Sequence, residues 1–280
     1  MKAVSPGSRA EPFFLAAEQG QRFCVFHPPA GACRGAVLYV HPFGEEMNKT
    51  RRAAAIQARA LAALGYGVLL IDLYGCGDSS DDFADARWTI WKRDLALGQR
   101  WLRERLGVPV SLWGLRLGAL LALDYARDPA EPVARLALWQ PVHSGATFLT
   151  QFLRLRIANQ MLGEGSDKSG GTQALRAALQ AGDVLEVAGY DLAPELAASI
   201  DGLDASALLA TGCPVHWFEA TAADGRPLSP ASARVTAAWQ QGGVDLHVHL
   251  VTCPPFWAAQ EVTECPALVA ATSAVFAEAA

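Results

Sequence analysis

The segment S-L-W-G-L-R-L-G-A-L-L-A, residues 111–122, constrains the fold of this chain most tightly. An apolar strand over 110–113 passes through a turn flanked by Gly114 and Gly118 and becomes an Ala- and Leu-rich helix over 117–127. Glycine is needed on both sides of such a turn, because the bend is strained and the strand and helix pack too closely to leave room for a β-carbon. The same alternation extends along the sequence. Short apolar runs at 35–40, 68–71, 136–139, 215–218 and 246–251 read as buried strands. Helical patterns fall between them at 50–64, stopped by Gly65, at 88–106 and at 229–240, and an Ala-rich helix closes the chain. Strands alternating with helices specify an α/β fold, a mostly parallel central sheet flanked by helices, with its site at the carboxyl ends of the strands.

From about residue 144 to 210 the alternation lapses into helical pieces at 148–162, 172–181 and 194–201, with the turn G-E-G-S-D-K-S-G-G at 163–171. We read 144–210 as a helical cap inserted into a core formed by 1–143 and 211–280. The first dozen residues read as a loose tail. A chain of 280 residues, 51% hydrophobic, can bury one large core. Its formal net charge of −5 and lack of long basic runs argue against nucleic acid as a partner. The N-terminus lacks a signal-peptide core and no apolar stretch is long enough to span a bilayer, so a cytoplasmic location is expected. The six cysteines, 24, 33, 76, 213, 253 and 265, form no C-x-x-C pair, which predicts reduced thiols and no metal site. No phosphate-cradling or dinucleotide motif appears, and no cofactor is expected.

The glycine-flanked turn resembles the G-x-S-x-G nucleophile elbow of the α/β-hydrolase superfamily. H-P-F-G at 41–44 resembles that family's oxyanion loop, and D-L-Y-G-C-G-D-S-S at 72–80 resembles the loop after its next strand. More narrowly, H-P-F-G-E-E-M-N-K-T-R-R together with W-G-L-R-L-G-A-L-L-A resembles the bacterial proteins called exosortase A system-associated hydrolase 2. That resemblance implies an α/β-hydrolase fold over residues 20–280 and a setting in exopolysaccharide synthesis and PEP-CTERM sorting, with a protein partner from the same locus.

The elbow departs from the family pattern at its centre, where Arg116 stands in place of serine. A serine triad needs a hydroxyl, an imidazole base and a carboxylate that orients it. A guanidinium, with pKa above about 12, serves as neither nucleophile nor base. After the last strand, where the family has histidine, the sequence reads T-C-P-P-F-W. His247 and His249 precede it on one strand face and read as structural; for the acid, Glu219 and Asp224 are available. The chain is therefore not expected to work as an ordinary serine hydrolase.

Two explanations for the arginine compete. Glu45 or Glu46, on the adjoining loop, can pair bidentately with Arg116 and plug a retired site, while Lys49, Arg51 and Arg52 at the start of the next helix can neutralise those glutamates instead. Alternatively, Arg116 and the N-terminus of its helix bind a small anionic ligand or an acyl or glycosyl compound. The expected pocket lies under the cap, lined by His41, Phe43, Glu45, Glu46, Arg116 and Leu117, with Phe256 and Trp257 closing it. A hydrolase of an acyl or glycosyl ester with a non-standard site remains the alternative, with Cys76 as nucleophile beside His41. Trp88, Trp91 and Trp101 are expected to pack their helix on the sheet. Asp72, Asp78, Asp81, Asp82 and Asp85 read as a solvated loop.

Overall fold

The computed structural model describes residues 9–162 and 171–278; of the Gly/Ser-rich turn expected at 163–171, all but Gly171 lies outside them. The chain opens with an antiparallel hairpin, β1 (Glu11–Ala16) and β2 (Gln21–His27), so residues 11 and 12 begin a strand where a loose tail was expected. There follow β3 (Gly35–Val40), α1 (Glu45–Ala63), β4 (Tyr66–Ile71), α2 (Trp88–Leu106), β5 (Val110–Leu115), α3 (Leu117–Ala126) and β6 (Val133–Trp139). Between β6 and the next core strand lie α4 (Gly145–Leu162), α5 (Gly171–Ala181), a two-stranded ribbon of β7 (Leu185–Val187) and β8 (Tyr190–Leu192), and α6 (Pro194–Asp201). The chain then returns to the sheet with β9 (Val215–Thr221), α7 (Pro230–Gln241), β10 (Leu246–Thr252) and α8 (Pro266–Glu278).

The eight long strands form one sheet in the order β1-β2-β4-β3-β5-β6-β9-β10, parallel from β4 onward. This is the α/β-hydrolase fold expected from the elbow. Strands buried on both faces account for the continuous apolar runs. In β3, Val37 and Tyr39 point into a core shared with α1 and α8, whereas Ala36, Leu38 and Val40 point into the larger core containing residues of α2, α3 and α4. Trp88 and Trp91 are buried against the second face, and Trp101 stacks on Phe13 and edges onto Phe26. Among the described residues, no helix is long and apolar enough to cross a membrane.

Helix α1 begins five residues before the expected position 50. Gly44, at φ 55°, turns the chain out of the loop after β3, and Glu45 and Glu46 occupy the first helical turn, where carboxylates face the positive end of the helix dipole. This moves both glutamates from a loop onto a rigid element.

Candidate functional site

Arg116 sits at the bend between β5 and α3 with φ 56° and ψ −119°, a conformation that a side chain other than glycine adopts only under strain. Close packing imposes it. A β-carbon at Gly118 would lie 2.3 Å from the His41 carbonyl oxygen, and one at Gly114 would lie 2.5 Å from the Ala119 Cα. The backbone is fastened on both sides: the Arg116 amide donates to Trp139 O at 2.9 Å, and its carbonyl accepts from Ala119 N at 3.1 Å. The side chain is thus held at the carboxyl edge of the sheet and at the N-terminus of α3.

There Arg116 Nε donates to Glu46 Oε1 at 3.3 Å, and its guanidinium lies 5.4 Å from the centre of the Trp257 ring. The pair is made through Nε alone, not the expected bidentate fork. Burial raises the Glu46 carboxyl above its ordinary range despite the opposing pull of Arg116, and Glu46 Oε2 is buried without a partner among the described residues. Glu45 turns elsewhere, accepting from Asn48 Nδ2 and the Tyr190 hydroxyl. Two of the three basic residues thought able to neutralise these glutamates have other partners. Arg51 grips Asp72 with both terminal nitrogens, and Arg52 pairs with Glu264. Asp72 is accordingly buried, while Asp78, Asp81, Asp82 and Asp85 are exposed as a solvated loop would be.

The space expected beneath the cap is filled. Phe43 packs edge-on against Phe83, Phe148 and Phe152, and only about 10 Å³ remains among His41, Phe43, Leu117 and Cys76. That is at the lower limit for a single water molecule and leaves no room for a ligand. His41 has no nitrogen to spare for catalysis: Nδ1 bonds the Pro42 carbonyl at 2.7 Å and Nε2 accepts from the Leu73 amide at 3.1 Å. It staples two loops together. The Cys76 thiol is buried, and desolvation together with Asp72 and Asp94 pushes it well above the ordinary thiol range, which disfavours the thiolate.

An open cleft of about 980 Å³ lies at the carboxyl ends of β9 and β10, walled by Trp257, Pro254, Pro255, Leu228, Arg226 and Ser229. Trp257 connects this cleft to the elbow, lining one and stacking on the guanidinium of the other. Phe256 instead turns inward, buried against Trp139. The loop carrying both aromatics is closed by a disulfide between Cys253 and Cys265, whose Cα atoms are 5.7 Å apart. The expectation of reduced thiols fails for these two, since the turn after β10 and the start of α8 bring together positions that are well separated in sequence.

A buried polar chain beneath the cleft was not anticipated. The Glu219 carboxylate accepts from Trp217 Nε1 at 3.0 Å, Ser229 N at 3.2 Å and Ser232 Oγ at 2.5 Å. Because Ser232 spends its proton on Glu219, its oxygen accepts from the Ser229 hydroxyl at 2.8 Å and from His143 Nε2–H at 2.9 Å. Burial lowers the His143 pKa, and the Glu219 charge opposes that shift. Glu219 thus orients a serine pair at the start of α7, and no spacing in the sequence links its members, which come from three segments. Asp224 is exposed and accepts from the Thr252 hydroxyl. His249 hydrogen-bonds His216 at 3.1 Å, and His247 pairs with Asp245. Among the described residues, no group of three or more His, Cys, Asp or Glu side chains could hold a metal ion.

The family described as serine aminopeptidase, S33, matches residues 31–194. No curated protein matches the sequence. Solved structures share the fold at low identity. Est1E from Butyrivibrio proteoclasticus, solved with ferulic acid bound, is 15% identical at a TM-score of 0.65, covering 95% of this chain and 96% of that one. A soluble variant of monoglyceride lipase from Saccharomyces cerevisiae, in complex with a substrate analog, is 15% identical at 0.63, covering 99% and 96%. A thermostable carboxyl esterase from Bacillus coagulans, in complex with glycerol, is 14% identical at 0.61, covering 86% and 89%.

Proposed function

Because the chain belongs to the serine aminopeptidase S33 family of α/β hydrolases yet carries a guanidinium at its elbow, we propose that it has lost serine-triad chemistry and binds an anionic ligand without hydrolysing it. The observation that carries this reading is Arg116 itself, which is fixed in the elbow conformation, permanently charged, and bonded to Glu46 through Nε alone. Its terminal amino groups have no partner among the described residues, and the residue itself caps the positive end of α3. Trp257, in the loop after β10, presents its ring to the guanidinium, which supports a site without a base there. In this reading the ligand enters from the cleft over β9 and β10, since the space under the cap is packed with aromatic rings.

Residues 144–210 act here as a closed cap on a core formed by 1–143 and 211–280. The solved structures with this fold include esterases, which supports a carboxylate-bearing ligand related to the products of ester cleavage. The resemblance of the 41–52 and 113–122 segments to exosortase A-associated hydrolases supports a setting in bacterial exopolysaccharide synthesis and PEP-CTERM sorting, with an accessory role beside another protein of that system.

The test pairs two measurements on the full chain. A fluorophosphonate and a panel of p-nitrophenyl esters are expected to give no label and no turnover above background. In a thermal-shift panel of anionic glycans, nucleotide sugars and acyl thioesters, at least one compound is expected to stabilise the wild type and not Arg116→Ala. Equal responses of the two proteins to every compound would defeat the binding reading, and fluorophosphonate labelling would defeat the loss of triad chemistry.

A further inference from the structure

A second cavity, of about 280 Å³, lies between α1 and the outer strands β2 and β4. Its walls are largely apolar, with Phe23 and Val25 from β2, Leu70 from β4 and Ala54 from α1. Into this surface are set His27 and Arg59. The His27 side chain belongs to a residue only 5% exposed, and neither ring nitrogen has a hydrogen-bond partner among the described residues. Neither nitrogen is cut off from solvent, so the ring meets the water of the cavity and can donate to a ligand that replaces it.

Arg59 supplies the charge. It lines the same cavity, is exposed, and makes no ion pair or side-chain hydrogen bond among the described residues. The one carboxylate among the lining residues, Asp72, is already held by both terminal nitrogens of Arg51 and by the Asp78 amide. The cavity therefore presents an uncompensated guanidinium and a free imidazole donor over an apolar floor. Burial and the Arg59 charge together keep His27 neutral, so that it offers one N–H without adding a second cation.

We propose that this cavity is a ligand site distinct from the elbow and that it takes a small monocarboxylate with a short apolar tail. Arg59 and His27 hold the carboxylate, and Phe23, Val25 and Leu70 receive the tail. A planar carboxylate matches one guanidinium fork, whereas a dianionic phosphate would carry more charge than this site compensates and would leave the apolar walls uncovered. The volume sits near the lower limit of ligand pockets, roughly 300 Å³, which restricts the tail to a few carbons.

The experiment uses hexanoate and inorganic phosphate as probes, titrated into the full chain by calorimetry and by NMR of the histidine ring protons. Arg116→Ala serves as a parallel background, so that failure of the elbow reading and failure of this one remain distinguishable. In the Arg116→Ala background, where the elbow is disabled, hexanoate is expected to bind one site and to shift the His27 ring resonances as it does in the wild type, with phosphate at least tenfold weaker. Arg59→Ala, a change at an exposed side chain that leaves the fold undisturbed, is expected to weaken hexanoate at least tenfold. His27→Phe, which keeps the ring volume and removes the donor, is expected to do the same. Unmoved His27 resonances at saturating hexanoate, phosphate binding as tightly as hexanoate, or unchanged affinity in Arg59→Ala would each overturn the proposal.

Discussion

Replacing Arg116 with alanine is expected to destabilise the protein near neutral pH and to do so less in acid. The guanidinium donates to the Glu46 carboxylate a hydrogen bond 3.3 Å long, between side chains that are 17% and 22% exposed. Hydrogen bonds to charged groups contribute about 1.5–3 kcal/mol and exposed ion pairs about 0–1. A long bond at this partial burial falls between them, near 1–1.5 kcal/mol by the same scale. Loss of the stacking on Trp257 removes about 0.5–1 kcal/mol more, and relief of a cation at the start of α3 returns about 0.3–1. The net loss is about 0.5–2 kcal/mol, with a centre near 1.3 that corresponds to roughly 3–5 °C in melting temperature for a chain of this size.

The pH dependence follows from Glu46, whose carboxyl is raised in the folded state. Such a group stabilises the fold below its unfolded value, near about 4.3, and loses that contribution as pH rises through the higher folded value. Without Arg116 the folded value rises further, so the cost of the substitution is largest around pH 8 and shrinks toward pH 5. Glu46→Gln in the Arg116→Ala background removes the unpaired charge and is expected to recover most of the loss, a coupling of about 1 kcal/mol in a double-mutant cycle. Urea unfolding of the four proteins at pH 5 and pH 8 measures both quantities. Additive single changes, or a loss that grows on acidification, would refute the pairing.

Arg116→Ser is not expected to create an esterase. Trp257 follows β10 and His143 Nε2 is committed to Ser232, so among the described residues no imidazole stands ready for the new hydroxyl; fluorophosphonate labelling and p-nitrophenyl butyrate hydrolysis should stay at background, and turnover above it would refute the absence of a base at the elbow. Ser232→Ala removes one of three donors to the buried Glu219 carboxylate and is expected to cost about 1–3 kcal/mol in urea unfolding, while a loss below about 0.5 would show that the polar chain contributes little. Alkylation of denatured, unreduced protein should modify Cys24, Cys33, Cys76 and Cys213 and spare Cys253 and Cys265, and native protein at neutral pH should leave Cys76 unlabelled. A labelled Cys253 would remove the disulfide from the loop that carries Trp257.

The fold was legible because its strongest signals are local. Continuous apolar strands, a glycine stop after α1 and the two glycines around Arg116 each report a steric or burial requirement within a few residues. The β1–β2 hairpin escaped notice because β1 is largely exposed and β2 alternates, which leaves neither with an apolar run. The early start of α1 was missed because its first turn is polar and follows a loop motif, although Glu45 and Glu46 after Gly44 carried a helix-start signal. At the site, the Arg116–Glu46 contact was foreseeable from the order of strands and helices. The Glu219–Ser232–His143 chain and the Cys253–Cys265 pair were not, because their geometry depends on how loops from separate strands converge. The aromatic filling of the cap pocket shares that origin: Phe43, Phe148 and Phe152 meet only through the docking of α4 over the loop after β3.

The geometry around Arg116 also limits what its presence can mean. The bend is dictated by the approach of Gly118 to the His41 carbonyl and by the hydrogen bonds that fasten residue 116 to Trp139 and Ala119, none of which involves the side chain. The backbone strain, of order 1–3 kcal/mol for a residue other than glycine, is therefore present whatever residue stands there, and glycine would relieve it. An arginine keeps that strain and adds a cation at the positive end of α3. Glu46 offsets the charge with one hydrogen bond and still leaves its own Oε2 buried and without a partner among the described residues, so the pair is poorly closed as a structural plug. Under the proposed reading, this guanidinium, whose terminal amino groups have no partner among the described residues and which lies beside an aromatic ring that opens onto a large cleft, receives a carboxylate from outside in place of sealing an abandoned site.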